Sequence, residues 1–385
     1  MRICLVSETW APEINGVAHT LGHLSREAIA RGHRLQLVRP TPAIPAPRSE
    51  GMEAELRVRS VSLPGYREVR LGLPAARCLT QFWRKQRPDV VYLATQGPLG
   101  WSAQGVARRL AIPSVAGWHT NFDHYCHDYG VPWLSGPVRR RLRTFHNRSQ
   151  ATLVPTRSQA EALTANGFRE VRVMARGIDG ERFSPAHRDP ALRARWGAGE
   201  HTPVILHVGR LAPEKNLALL RESCVAIGEA RPDARIVIVG DGPGRKALAA
   251  SLPHAHFTGF IPADDLARHY ASADLFLFPS LSETWGNVLL EAMASGLATV
   301  AFRHAAGAEL IDHDLNGLAP AVDDVAGFRE AAVTLCQQPA RRARLGRNAR
   351  ERALAYAWPA IADAFLAVLD HARETPHGHS RPRPA

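Results

Sequence analysis

Lysine is almost missing from this sequence: only three of its 48 basic residues are Lys. Cysteine is sparse as well. The five cysteines (4, 78, 126, 224 and 336) are odd in number, scattered, and form no Cys-x-x-Cys pair. A disulfide framework and a cysteine zinc knuckle are both unsupported, and a reducing cytoplasm is the expected setting. No apolar run approaches the roughly 18 residues needed to span a bilayer. Met1-Arg2-Ile3-Cys4-Leu5-Val6 offers only a short apolar run before Ser7-Glu8, which reads as a strand and not as a signal-peptide core. No pair of glycines is followed by Lys and Ser/Thr in the Walker spacing, which disfavours a P-loop ATPase. No repeat of solenoid period is present.

What is present is ordinary globular usage, 45% hydrophobic and 22% charged over 385 residues, long enough for two domains or three. The formal net charge is +12, and it is unevenly placed. Residues 1–183 hold 26 Lys+Arg against 14 Asp+Glu, whereas residues 184–385 hold 22 of each. Arg-rich usage accounts for part of the basic count but not for acids failing to balance it in one half. Such an excess attracts nucleic acid, anionic membrane or phosphorylated ligands.

Short apolar runs alternate with amphipathic stretches. Strands are expected at 3–6, 34–38, 90–93, 114–116 and 151–154, then at 204–208, 235–239, 256–257, 275–278 and 298–301. Helices are expected at 18–30, 340–357 and 358–372, the last with an apolar stripe of Trp358, Ile361, Phe365, Val368 and Leu369. Apolar strands separated by helices imply a parallel sheet covered on both faces. The pattern runs twice, so the expected fold class is α/β, with two doubly wound Rossmann-like domains. Residues 176–185 interrupt the periodicity and mark the boundary. Residues 40–47, with four prolines, are expected to be extended, and the tail 375–385 to be disordered.

Chemistry concentrates after the strands. Residues 279–296 follow the strand 275–278 and lead into a helix, placing Glu283 in the loop and Glu291 about two turns along. Two carboxylates at that spacing cannot meet one atom, but they can grip two parts of an extended ligand, such as a sugar and a ribose. The plainer alternative is a capping acid and a solvated helix acid. Val208-Gly209-Arg210-Leu211-Ala212-Pro213-Glu214-Lys215-Asn216 follows another strand. Gly209 permits close backbone approach, and Arg210 and Lys215 supply a fork and a point charge for phosphate oxygens. A surface loop with ordinary ion pairs is the alternative. Gly240-Asp241-Gly242-Pro243 resembles half of a dinucleotide fingerprint, and Asn15-Gly16 before the first helix can face a diphosphate. His119, Asp123 and His127 are spaced four apart, as in a helical zinc site, but Trp118-His119-Thr120 reads as a strand end, so no metal is expected. Arg139, Arg140, Arg141, Arg143 and Arg148 form the densest basic run, with Leu142 and Phe145 turned to a core. That run is either a solvated helix face or a surface for anionic lipid or RNA. It lacks interleaved aromatics for base stacking, so no nucleic-acid partner is expected.

Together these segments resemble a retaining glycosyltransferase of the GT-B architecture, family four, over nearly the whole chain. The segment from Glu283 through Gly286 to Glu291-Ala292-Met293-Ala294-Ser295-Gly296 is the most specific part. Pro12-Glu13-Ile14-Asn15-Gly16-Val17, His119-Thr120-Asn121-Phe122 and Arg143-Thr144-Phe145-His146-Asn147-Arg148 resemble a mannosyl- and glucosyltransferase subgroup. The resemblance implies two domains facing across a cleft, with residues 1–180 on the acceptor side and 184–355 binding the nucleotide sugar. Residues 356–373 would cross back to the first domain, and 374–385 would form the tail. It further implies that Arg210 and Lys215 hold the diphosphate and that Glu291 takes the ribose. Glu283, Trp285, Gly286 and Asn287 would hold the donor sugar, Gly209 and Gly240 would line the donor site, Gly16 would approach the diphosphate and His119 would contact the sugar. Transfer would proceed with retention, without metal or other cofactor, from GDP-mannose in preference to UDP-glucose. The acceptor would be a lipid or glycan at the inner face of the cytoplasmic membrane. Trp285 stands where the family commonly has Phe, which keeps an aromatic plate. Ala298 stands where the family commonly has Pro, and residues 304–308 are a loosened glycine-rich turn. Two alternatives stay open: a sugar-nucleotide 2-epimerase or phosphorylase on the same fold, and a non-enzymatic basic protein binding RNA or membrane.

Overall fold

The computed structural model describes residues 1–375 except 14, 43–46, 64–65, 120–134, 282 and 284. Two compact units result, one of Met1–Arg176 with Trp358–Ala385 and one of Gly177–Ala357. The first is built on β1 (Arg2–Val6), β2 (Arg34–Pro40), β3 (Met52–Val58), β6 (Val90–Leu93), β7 (Ser114–Gly117), β8 (Ala151–Val154) and β9 (Val171–Val173). They form one sheet in the order β3-β2-β1-β6-β7-β8-β9, parallel throughout. β4 (Ser60–Leu63) and β5 (Tyr66–Gly72) make a separate antiparallel pair. The second unit carries β10 (Val204–Val208), β11 (Arg235–Val239), β12 (His256–Gly259), β13 (Leu275–Phe278) and β14 (Ala298–Ala301). Its order is β12-β11-β10-β13-β14, also parallel. Strand order reverses beside β1 in one sheet and beside β10 in the other. Loops leaving the carboxyl ends of adjacent strands diverge there and open a crevice.

The uniformly apolar runs fold as the expected strands because they are buried on both faces. β3, β4, β5 and β9 escape that pattern. β3 and β9 lie at the two edges of the first sheet, where one flank is open. Glu53 and Arg57 accordingly alternate with apolar neighbours in β3, Glu55 is admitted there by its pairing with Arg39, and Arg172 sits in β9. Pro40 ends β2, while 43–46 of the proline-rich stretch and 376–385 of the tail lie outside the described residues.

The helix Trp358–Glu374 buries Trp358, Ile361, Phe365 and Leu369 as expected, with Ala362 and Leu366 added and Val368 only half-buried. It packs on the helix Gly16–Ala30 within the first unit. His23 stacks on Trp358 at 4.4 Å between centroids, and Phe365 meets Tyr92 edge-on at 4.9 Å. The expected helix over 340–357 is observed at Pro339–Leu354. Its continuation is stopped by pairing: Ile178 N–H donates to the Tyr356 carbonyl at 2.9 Å, so the two chain crossings at the unit boundary run side by side.

Arg39 and Glu55 join β2 to β3 through a buried ion pair of 2.8 Å, with side chains 4% and 2% exposed. Burial alone would push the Glu55 carboxyl up from its ordinary 4.5. Hydrogen bonds from Arg57, the Ser49 N–H and Arg39 outweigh it and hold the group at about 2. The stability from this lowered value is fully present above about pH 4.5 and is lost as pH falls toward 2. Glu55→Ala leaves Arg39 buried without its carboxylate. The expected loss is about 3–5 kcal/mol in urea unfolding, at pH 7.

Candidate functional site

The second unit gathers most of the candidate residues at the reversal beside β10. Gly209 follows β10 directly, and its N–H donates to the Val239 carbonyl at the end of β11. Leu211 N–H bonds to the Asp241 carbonyl, and Gly244 N–H to the Leu211 carbonyl. The two glycine loops, separate signals in the sequence, therefore form one platform, packed backbone on backbone. Gly240 has φ +131°, and a Cβ there would lie 1.9 Å from the Gly209 carbonyl oxygen, so no larger residue fits.

Lys215 ends the short 3₁₀ turn Pro213–Lys215, and Glu283 lies in the loop after β13. Their side chains form an ion pair across the reversal, 19% and 17% exposed. Ser280 Oγ donates to the same Glu283 oxygen at 3.0 Å. Arg210 lies beyond, its side chain 61% exposed and 3.8 Å from Glu214, so its fork remains close to solvent. His207, inside β10, donates from Nδ1 to the Leu277 carbonyl at 3.0 Å, leaving Nε2 without a partner in the core beneath. Burial holds this ring neutral, at about 4.

Gly286, with φ +95°, turns the chain into the helix Asn287–Ala294, whose first residue is Asn287. Trp285 is buried, 6.1 Å from the Tyr356 ring, with its indole N–H unpartnered. It is thus a wall of the loop and not an exposed plate. Glu291 accepts from Tyr270 Oη at 3.0 Å, and burial pushes its carboxyl up to about 7. Glu291 is thus a bonded, buried carboxyl and not the solvated helix acid that the sequence leaves open. Tyr270 and Ser280 carry no sequence signal of their own, because each acts through a partner set by the fold.

Two candidates belong to the first unit instead. Gly16 begins its helix behind the Asn15 cap, whose Oδ1 accepts from Val17 and Ala18 N–H at 3.1 and 2.9 Å. His119 is 9% exposed and bonded at both ring nitrogens. Arg176 Nη2 meets Nδ1 at 2.6 Å, and Tyr92 Oη meets Nε2 at 2.8 Å. A guanidinium can only donate, so Nδ1 must be the acceptor and Nε2 must carry the proton. Burial and the Arg176 charge hold the ring well below its ordinary value. Asp123 and His127 lie outside the described residues.

The basic run falls on the helix Ser135–His146 and the turn after it, with Leu142 and Phe145 buried and the five arginines exposed. Arg141 and Arg148 lie over the Trp101 ring at 4.6 and 5.7 Å, and Arg143 donates to the Asn166 carbonyl at 3.1 Å. Among the described residues, Arg140, Arg141, Arg143 and Arg148 form no ion pair with a carboxylate. Nitrogen NMR of His119 is expected to show the neutral Nε2–H form from about pH 8 down to about pH 5, because burial and Arg176 oppose protonation.

Comparison with known proteins supplies the family. A profile described as Glycosyl transferases group 1 matches residues 202–338, and one described as Glycosyltransferase Family 4 matches residues 14–182. Relatives include a GDP-mannose-dependent alpha-mannosyltransferase of Mycobacterium tuberculosis, 33% identical over 97% of each chain. Another from that organism is a GDP-mannose-dependent alpha-(1-6)-phosphatidylinositol dimannoside mannosyltransferase, 29% identical over 96% of each chain. Among solved structures, HepE of Anabaena in complex with UDP superposes with a TM-score of 0.75 at 18% identity, covering 96% of this chain and 100% of that one. With two Rossmann-like units of GT-B type and a relative 33% identical over 97% of each chain, the chain belongs to glycosyltransferase family 4 and is a glycosyltransferase that uses a nucleotide sugar.

Proposed function

We propose that this enzyme transfers mannose from GDP-mannose, with retention and without a metal, to a lipid or glycan acceptor. The observation that carries the reading is the Lys215–Glu283 pair beside the Gly209–Gly240 platform, at the strand reversal of the second unit. The mannose donor is favoured by the names of the relatives, with glucose next. The leaving group is a nucleoside diphosphate, so charge develops on phosphate oxygens. Lys215 and the solvent-facing fork of Arg210 supply the compensating charge that a metal would otherwise bring. Glu291 takes the ribose hydroxyls, and Glu283, once released toward the donor, holds sugar hydroxyls. The departing phosphate accepts the proton of the acceptor hydroxyl, so no protein base is required. Nothing beyond the nucleotide sugar is needed as a cofactor.

The exposed arginines of residues 139–148 favour an acceptor presented on an anionic surface. In this reading the first unit docks peripherally on the cytoplasmic face of the membrane. Each Arg near such a surface contributes about 1 kcal/mol, screened by salt.

Purified enzyme supplied with GDP-mannose and a crude lipid extract is expected to yield a mannosylated product by mass spectrometry. UDP-glucose serves as the competing donor. Lys215→Ala and Glu283→Ala should each lower kcat by about a hundredfold or more. An epimer formed without acceptor would instead favour the epimerase. Binding to phosphatidylglycerol vesicles is expected to fall with added salt, and to weaken in Arg141→Glu and Arg148→Glu. Binding indifferent to salt and lipid charge would remove the membrane reading.

A further inference from the structure

The strand reversal of the first unit, beside β1, holds a carboxylate that the donor chemistry leaves unused. Glu8 lies two residues past β1 and is 8% exposed. Its N–H donates to Thr95 Oγ1 at 3.0 Å, and Ala94 N–H to the Val6 carbonyl, so the loops after β1 and β6 are tied together there. The carboxylate rests against Gly97. A Cβ at that position would lie 2.1 and 2.2 Å from its two oxygens, so the seat exists only because residue 97 is glycine.

Its bonding is incomplete. Oε1 accepts from the Leu99 N–H at 3.1 Å. Oε2 has no partner among the described residues, although an ionised carboxylate can accept about four hydrogen bonds. Among the described residues no Arg or Lys pairs with Glu8, in the half of the chain that carries the whole basic excess. Burial accordingly pushes the group up to about 7. Glu8 does cap the helix Pro98–Arg109, whose N-cap Gly97 has no side chain to do so. Capping alone needs only a neutral acceptor, such as a Ser at the cap itself, and does not call for a buried charge. Gln96, also 8% exposed, lies in the loop after β6, the strand beside β1, and His119 follows β7, the next strand of the sheet. This is where open parallel sheets bind ligands.

We propose that Glu8 is an acceptor-binding residue whose free carboxylate oxygen takes a hydroxyl of a neutral sugar or polyol head group. This rests on the glycosyl-transfer reading and names the class of acceptor for the first unit. A buried carboxyl with no basic partner among the described residues offers no compensating charge to phosphate or carboxylate, so the part of the acceptor it grips is uncharged. Any anionic part of the acceptor belongs toward the arginines, two of which lie over Trp101 in the first turns of the helix that Glu8 caps.

Saturation-transfer NMR of methyl α-mannoside and methyl α-glucoside with the full chain, in the absence of donor, tests this directly. GDP affinity and thermal melting are measured in parallel. Glu8→Gln keeps an oxygen for the Leu99 N–H but loses the charge. It is expected to weaken glycoside binding about tenfold or more, with GDP affinity within about twofold and melting little changed. Glu8→Asp, which keeps the charge on a shorter arm, should recover part of the binding. Absence of glycoside binding by the wild-type enzyme would overturn the proposal. So would unchanged binding in Glu8→Gln, or loss of glycoside binding, GDP affinity and melting temperature together. Glu8-dependent glycoside binding in an enzyme that fails to turn over any nucleotide sugar would sink the transfer reading and leave the site standing.

Discussion

The ion pair between Lys215 and Glu283 is the interaction on which the strand reversal of the second unit depends. Each charge sits past the end of a different strand, and each is largely withdrawn from water. Removal of either partner leaves the other charge, less than a fifth exposed, without its counter-ion. The pair therefore fixes the relative position of the loops after β10 and β13. It also keeps a cation and an anion side by side past the carboxyl ends of two adjacent strands.

The glycine platform beneath follows from the same constraint. Phosphate oxygens can approach a backbone only where no side chain stands in the way. Gly209 and Gly240 meet closely enough to exclude a Cβ between them. In the first unit the reversal holds a carboxylate, Glu8, over a helix terminus, and Arg176 meets His119 past the end of the next strand but one. Under the proposed function the nucleotide is held in the half whose charges balance, and the +12 lies in the other half. The excess includes a surface on which Arg140, Arg141, Arg143 and Arg148 meet no carboxylate among the described residues.

Much of this is legible in the sequence. Strands buried on both faces have no polar alternation, so β1, β6, β8, β10, β11, β13 and β14 are recognisable from composition alone. Leu142 and Phe145 are assignable to a core from their spacing. Edge strands such as β3 stay hidden because their charged residues are settled by partly exposed positions and by the Arg39–Glu55 pair, and the pattern then reads as a polar loop or helix.

Fold class, family and the order of the glycine loops are written in the sequence, because they depend on local periodicity and on glycines at fixed distances from strand ends. Which side chains face one another was settled by the way the chain packs. Tyr270 on Glu291, Ser280 and Lys215 on Glu283, and Arg176 with Tyr92 on His119 are contacts that no periodicity relates. Protonation states followed the same division. The neutral ring of His119 and the raised carboxyl of Glu8 are consequences of burial and, for His119, of nearby charge. Both are set by packing across the sheet rather than by neighbours along the chain.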